Sequence, residues 1–273
     1  MQNELSKIKV FIPVQILHGN LFPFPYRPYF ERIKEAGIDG VKLLLTKYVI
    51  THAEELAREA HEHGLEVRFH RWWPTFTTGW HNWLVTPFFF PQLGFARVDE
   101  VLPYNFNHPT VLSTYDAESF FEYGQLGTYA LMQPACTGQR GQVVPFRLVL
   151  DQIRWRNLRI VFDIGHWLQY HFWPEQVPDD ASFGILHDIL SAYFSIFQKY
   201  ICELHVYGVD TFTATGMNRW PDDPGRIHVF SLLADIAKRG WRGPITYEVA
   251  PSLIKKDPGR LRTLREFTDH TFK

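Results

Sequence analysis

At 273 residues, 45% of them hydrophobic and 21% charged, the chain has material for a large core and is no disordered segment; its length suits one (β/α)8 barrel of about 250 residues. Lys and Arg number 28 against 29 Asp and Glu, so the basic excess of a protein that grips DNA through phosphates is missing, and no nucleic-acid partner is expected. Two cysteines, Cys136 and Cys202, exclude a disulfide framework. With no leader-like stretch in MQNELSKIKVFIPV and no apolar run long enough for a bilayer, the expectation is a cytoplasmic protein without a membrane partner.

Ile8–Val14 (IKVFIPV) reads as a first strand, Tyr29–Ala36 as a short helix stopped at Gly37, and Gly40–Leu45 as a second strand. Thr51 with Glu54 three positions on has capping-box spacing, which predicts a helix from Thr51 to His63 ended by Gly64. Leu65–His70 (LEVRFH) is the third strand. Residues 71–128 then read as an irregular, aromatic-rich insertion, in which Arg71–Phe95 holds four of the nine Trp with repeated Phe and Pro. A weak fourth strand, Pro109–Thr114, and a short helix in Ala117–Gln125 interrupt it. Tyr129–Gln133 is the fifth strand, Val143–Arg154 a helix, and Leu158–Ile164 (LRIVFDI) the sixth strand. A helix over Phe183–Lys199 precedes the seventh strand, Ile201–Tyr207 (ICELHVY), and one over His228–Arg239 precedes the eighth, Ile245–Val249. The basic cluster Lys255–Arg265 reads as a solvated helix face. No linker divides residues 1–273, so the expected fold is α/β: a single (β/α)8 TIM barrel with an aromatic-rich insertion after the third strand.

Three successive strands carry a ligand-type residue near their carboxyl ends: Asp163, His205 and Glu248, with Gly165 and His166 just past the first. A closed parallel barrel brings those ends to one mouth, where carboxylate, imidazole and carboxylate make a divalent-metal site. Arg219 and Arg226 fall in the loop after the seventh strand, where they would hold an anionic or polyol substrate or make surface ion pairs. His228, at a helix start, divides between substrate contact and capping. Trp72 and Trp73 leave the third strand at the same mouth. They open an aromatic lid suited to stacking on a sugar face, or else a packing layer or a contact for a homo- or hetero-oligomer.

The ordered set of D-x-x-H at Asp163 to His166, His205 in ELHV, Gly225 to His228 before a helix, and Glu248 in YEV resembles the xylose-isomerase-like TIM barrels. That superfamily holds sugar phosphate isomerases and epimerases and, more distantly, endonuclease IV. The resemblance is close over Asn157–Pro251, and the first half contributes only the βα rhythm. It implies Asp163, His205 and Glu248 as ligands of Mn, Mg, Co or Zn, Glu248 also as catalytic acid/base, and His166 as a contact to substrate or metal. It further implies a metal-dependent isomerase, epimerase or related lyase. Such an enzyme moves a proton beside the metal-held carbonyl or hydroxyl of a sugar or other polyhydroxylated small molecule.

One departure stands at the fifth strand, where the epimerases have a metal-binding Glu that acts as one of two opposed bases. Here Gln133 takes the place; its amide oxygen can ligate a hard metal or touch substrate, but it is no base near neutral pH. One-base proton shuttling, dehydration and binding without turnover follow as expectations, the last as a catalytically degenerate binding subunit of a larger assembly. His70 stands where endonuclease IV has a ligand, and is expected to touch substrate. Ser113 and Gln133 replace two other ligands, which sets a trinuclear phosphodiesterase site further off.

Overall fold

Every second residue of the strand runs is apolar, and this alternation decides which face of the sheet meets helices and which faces inward. The computed structural model describes residues 7–14, 26–44, 49, 51–71, 110–112, 129–132, 159–165, 180–208, 220–223 and 229–273. The strands are β1 (Val10–Val14), β2 (Gly40–Leu44), β3 (Glu66–Arg71), β4 (Thr110–Leu112), β5 (Tyr129–Met132), β6 (Arg159–Asp163), β7 (Ile201–Val206) and β8 (Ile245–Tyr247). All pair in parallel in chain order, and Val10 and Phe11 of β1 register with Ile245 and Thr246 of β8, so the curled sheet closes. Each strand lies within two residues of its sequence expectation at either end. β4 falls inside the 71–128 stretch and divides it.

Among the described residues six helices accompany the strands: α1 (Arg27–Glu35), α2 (Ala53–Glu62), α3 (Asp180–Phe197), α4 (Val229–Lys238), α5 (Pro251–Lys256) and α6 (Gly259–Thr271). None of them is long and apolar enough to cross a membrane. The eight-helix count, the form of the insertion and the helices expected at Ala117–Gln125 and Val143–Arg154 fall on residues outside the described set.

One continuous apolar layer joins the outer strand positions Val10, Ile12, Val41, Leu43, Phe162, Leu204, Val206, Ile245 and Tyr247 to the helices. The helices contribute Phe30 and Ile33 from α1, Leu56 and Ala60 from α2, and Phe194 and Phe197 from α3. Leu232, Leu233 and Ile236 come from α4, and Leu261 and Leu264 from α6. Spacings of three and four set each helical stripe toward the sheet. Gly37 and Gly64 end α1 and α2 with φ of 76° and 70°, a left-handed turn that a side chain resists.

Two expectations are corrected. The α2 N-cap is His52, without a side-chain cap hydrogen bond, because Thr51 belongs to a preceding helical turn in which the His52 amide donates to Val49 O at 3.3 Å. The basic run Lys255–Arg265 is not one solvated face. Asp257 and Pro258 split it between α5 and α6, and Arg265 is buried, donating to Asp39, Asp269 and the Ile8 carbonyl.

Candidate metal and active site

Among the described residues the inward face of the sheet carries most of the buried polar groups, and its contacts prove the direction. Lys42 on β2 pairs with Glu203 on β7, and these strands are not neighbours in the closed order, so the ion pair crosses the barrel interior. Parity carries the same face along each strand: Gly40 and Lys42; Glu66, Arg68 and His70; Val161 and Asp163; Glu203 and His205; Thr246 and Glu248. At Gly40 the missing side chain makes room for the Phe11 ring, whose Cε1 would stand 2.5 Å from an added Cβ.

The interior is layered from the amino to the carboxyl ends of the strands. Lowest lie the Lys9–Glu66 ion pair and the Arg68 guanidinium, 4.2 Å over the Phe11 ring and 3.0 Å from Glu66 Oε1. In the middle sits Glu203, which accepts from Lys42, from Thr246 Oγ1 at 2.5 Å and from Arg68 at 3.4 Å. Burial alone works against the Glu203 carboxylate, but Lys42, His205 and Arg68 outweigh it and hold its pKa well below the usual range.

Above this layer His70, His205 and Glu248 converge at the carboxyl ends of β3, β7 and β8. All three are buried, and each offers one ligand atom within 4.8 Å of the others. His205 Nδ1 lies 2.9 Å from Glu248 Oε1, and the rings of His70 and His205 meet edge-on at 5.3 Å between centroids. Burial, followed by His205 and Lys42, pushes His70 well below the ordinary imidazole pKa, so it is a neutral ring with a lone pair to offer. For His205, burial and Lys42 push down, while Glu248 and Glu203 on either side prevail and raise it.

This donor set fits a divalent cation. Two imidazoles and a carboxylate form a mixed nitrogen and oxygen shell, and bonds of about 2.0–2.2 Å require only small closing movements of such a group. Asp163, expected as a ligand, is buried at the rim, with Oδ2 4.0 Å from His205 Nδ1. His70, expected to touch substrate, stands inside the group. Trp72, Trp73, Gln133, His166, Arg219, Arg226 and His228 lie outside the described residues.

Sequence reasoning passed over Lys42, Arg68, Glu203 and Thr246. The signal was there in the period of two: Glu203 precedes His205 by two positions, Thr246 precedes Glu248 by two, and Arg68 precedes His70 by two.

No protein-family model matches the chain, and neither does any curated protein sequence. Solved structures do match. A xylose isomerase domain containing protein from Salmonella typhimurium LT2 aligns over 98% of both chains with 13% identity and a TM-score of 0.57. The D-allulose 3-epimerase from Methylomonas sp., solved in complex with D-allulose, aligns over 97% of both at 12% identity and a TM-score of 0.55. A xylose isomerase-like TIM barrel protein from Mycobacterium smegmatis, in complex with magnesium, covers 97% of this chain and 96% of its own at 13% identity and a TM-score of 0.53. At such identities the likeness is one of fold, and the fold this chain shares is that of the xylose isomerase-like TIM barrel proteins.

Proposed function

We propose that this protein is a cytoplasmic, divalent-metal-dependent isomerase, epimerase or related lyase acting on a sugar or polyhydroxylated small molecule. The observation that carries the reading is the buried convergence of His70, His205 and Glu248 at the carboxyl ends of three strands. Enzymes of this architecture keep their chemistry at that end. The fold neighbour solved with D-allulose supports a sugar-sized substrate.

His70, His205 and Glu248 would hold the ion, with Asp163 joining from the rim; a shell with two imidazoles suits zinc, cobalt or manganese better than magnesium. When bound, such an ion polarises a substrate carbonyl or hydroxyl and acidifies the neighbouring C–H bond. Glu248 takes that proton and returns it. It is the group of the three nearest solvent, 7% exposed against 2% for His70 and 0% for His205, and hence the one that meets incoming substrate. The neutral His70 ring hydrogen-bonds a substrate hydroxyl whenever it is not itself a ligand. With Gln133 in place of a second carboxylate, Glu248 works from one face. Proton shuttling between adjacent carbons or loss of water therefore fits better than two-base epimerisation.

Around this site the proposal is a complete (β/α)8 barrel in which the aromatic-rich Arg71–Phe95 segment, ahead of β4, is a lid. The chain leaves β3 one residue beyond His70, and the proposed lid follows in sequence with Trp72 and Trp73. They would exclude water from the proton transfer.

Elemental analysis of the purified protein should find about one divalent ion per chain, lost in His205→Ala. Incubation with a panel of ketoses in deuterated water should show wild-type exchange of a carbon-bound hydrogen by NMR. In Glu248→Gln the exchange should slow by roughly 10²–10⁴. Equal metal in wild type and His205→Ala removes the site; undiminished exchange in Glu248→Gln removes the base.

A further inference from the structure

His205 Nε2 faces away from the cluster, toward two groups of opposite character. Lys42 Nζ lies 2.7 Å from it and Glu203 Oε1 3.1 Å. The ring's other nitrogen, Nδ1, faces Glu248 at 2.9 Å. A neutral imidazole carries one N–H, so the partner that Nε2 chooses fixes what Nδ1 can do. If Lys42 donates to Nε2, the proton sits on Nδ1 and the lone pair needed by a cation is gone. If Nε2–H donates to Glu203, Nδ1 presents that lone pair to the cluster.

We propose that Glu203 is the positioning residue that makes His205 a ligand, and that Lys42 holds Glu203 in place while opposing it at Nε2. The proposal rests on the reading above, in which His205 binds a divalent ion. A cation on the Nδ1 side requires the proton on Nε2, and an N–H there meets a repelling ammonium in Lys42 and an acceptor in Glu203. Glu203 is built for the task. It is 3% exposed, its Oε1 accepts from Thr246 at 2.5 Å as well as from Lys42, and its Oε2 lies 3.4 Å from Arg68. These partners stop the carboxylate from turning away from the ring. Carboxylates behind ligand histidines commonly fix tautomer and ring orientation in this manner.

The two members of the pair should therefore act on metal binding in opposite directions, whereas a purely structural ion pair would lose alike from either side. Lys42→Met is compared with two double variants, Lys42→Met/Glu203→Leu and Lys42→Met/Glu203→Gln. Zinc affinity is measured at pH 8 by competition with a chromogenic chelator, alongside the cobalt(II) absorption spectrum and the melting temperature. Lys42→Met should bind zinc as tightly as wild type or tighter. The Leu double variant, in which a buried ion pair becomes apolar volume and the fold is kept, should bind roughly 10–100-fold more weakly with an altered cobalt spectrum. The Gln double variant should recover most of the affinity, since its amide oxygen still accepts from Nε2–H. Leu and Gln double variants that both match Lys42→Met, or that both lose affinity equally, overturn the positioning role while leaving the metal site standing. A wild type that takes up no metal instead defeats the metal reading, and the proposal with it.

Discussion

Phe11, Gly40 and Arg68 form a stack in which each residue determines the next. The Phe11 ring occupies the volume that a side chain at Gly40 would need, and the Arg68 guanidinium covers that ring at 4.2 Å. Gly40→Ala would set a methyl 2.5 Å from Phe11 Cε1 and closer still to the Glu66 carbonyl oxygen, which is backbone and cannot swing aside. The expected cost is at least about 1–3 kcal/mol, read from equilibrium urea unfolding; an unchanged midpoint would show that the stack yields. Single residues also mark where the sequence was hard to read. His205 and Glu248 were legible because each stands at the end of an apolar run, where an ionisable group is conspicuous; Asp163, read by the same rule, lies beside the cluster with Oδ2 4.0 Å from His205 Nδ1. Lys42 was not. A lysine in a short strand ordinarily faces solvent, and only Glu203, 161 positions later, reveals that this one is buried. His70 was noticed, but its companions on β7 and β8 lie too far along the chain for any local pattern to place it among them.

Strands were the most legible elements, since each is an apolar stretch bounded by turn residues, and the parallel pairing of β1 with β2, β2 with β3, β6 with β7 and β7 with β8 follows from the helix between each pair. Helix ends were less so, because the helical turn before α2 competes with the capping residue. α6 shows how an apparently solvated charge can be structural. Its Thr268 hydroxyl donates to the Leu264 carbonyl at 2.9 Å and so accepts from Tyr247 of β8 at 2.8 Å. Its Phe267 stacks on Phe230 of α4 at 3.8 Å between centroids, and its Arg265 reaches Asp39 and Asp269. Leu264→Ala, in the middle of this contact, should cost about 2–5 kcal/mol by denaturant unfolding. The Arg265 hydrogen bond, helped by Lys7 and opposed by partial burial, lowers the Asp269 pKa. A depressed carboxylate contributes stability above its unfolded pKa of about 3.9 and loses it as pH falls through the folded value. Asp269→Asn should thus cost under about 1 kcal/mol near neutral pH, because Asp269 is 40% exposed, and the difference from wild type should vanish in acid. A gap that persists in acid would assign the effect to packing.

At the scale of the whole molecule, the closed order of strands has a kinetic consequence. The contacts that build the site join the two ends of the chain: Arg68 to Glu203 over 135 positions, and Lys42 to His205 over 163. An intermediate holding only β1 to β3 owns His70 and Lys42 but neither His205 nor Glu248. One holding only β6 to β8 has the reverse. The cluster therefore exists only after β7 and β8 have come round to β1, a late and entropically costly step because the β1–β8 pairing joins the two ends of the chain. A cation that recognises the cluster distinguishes the closed chain from every partly folded form. At a free concentration 100 times its Kd it would add about 2.7 kcal/mol to stability. That gain should appear almost wholly as slower unfolding, with the refolding rate unchanged, because the transition state precedes assembly of the site. Stopped-flow unfolding with and without zinc would show it; a zinc-accelerated refolding limb would place His70, His205 and Glu248 together before the rate-limiting barrier.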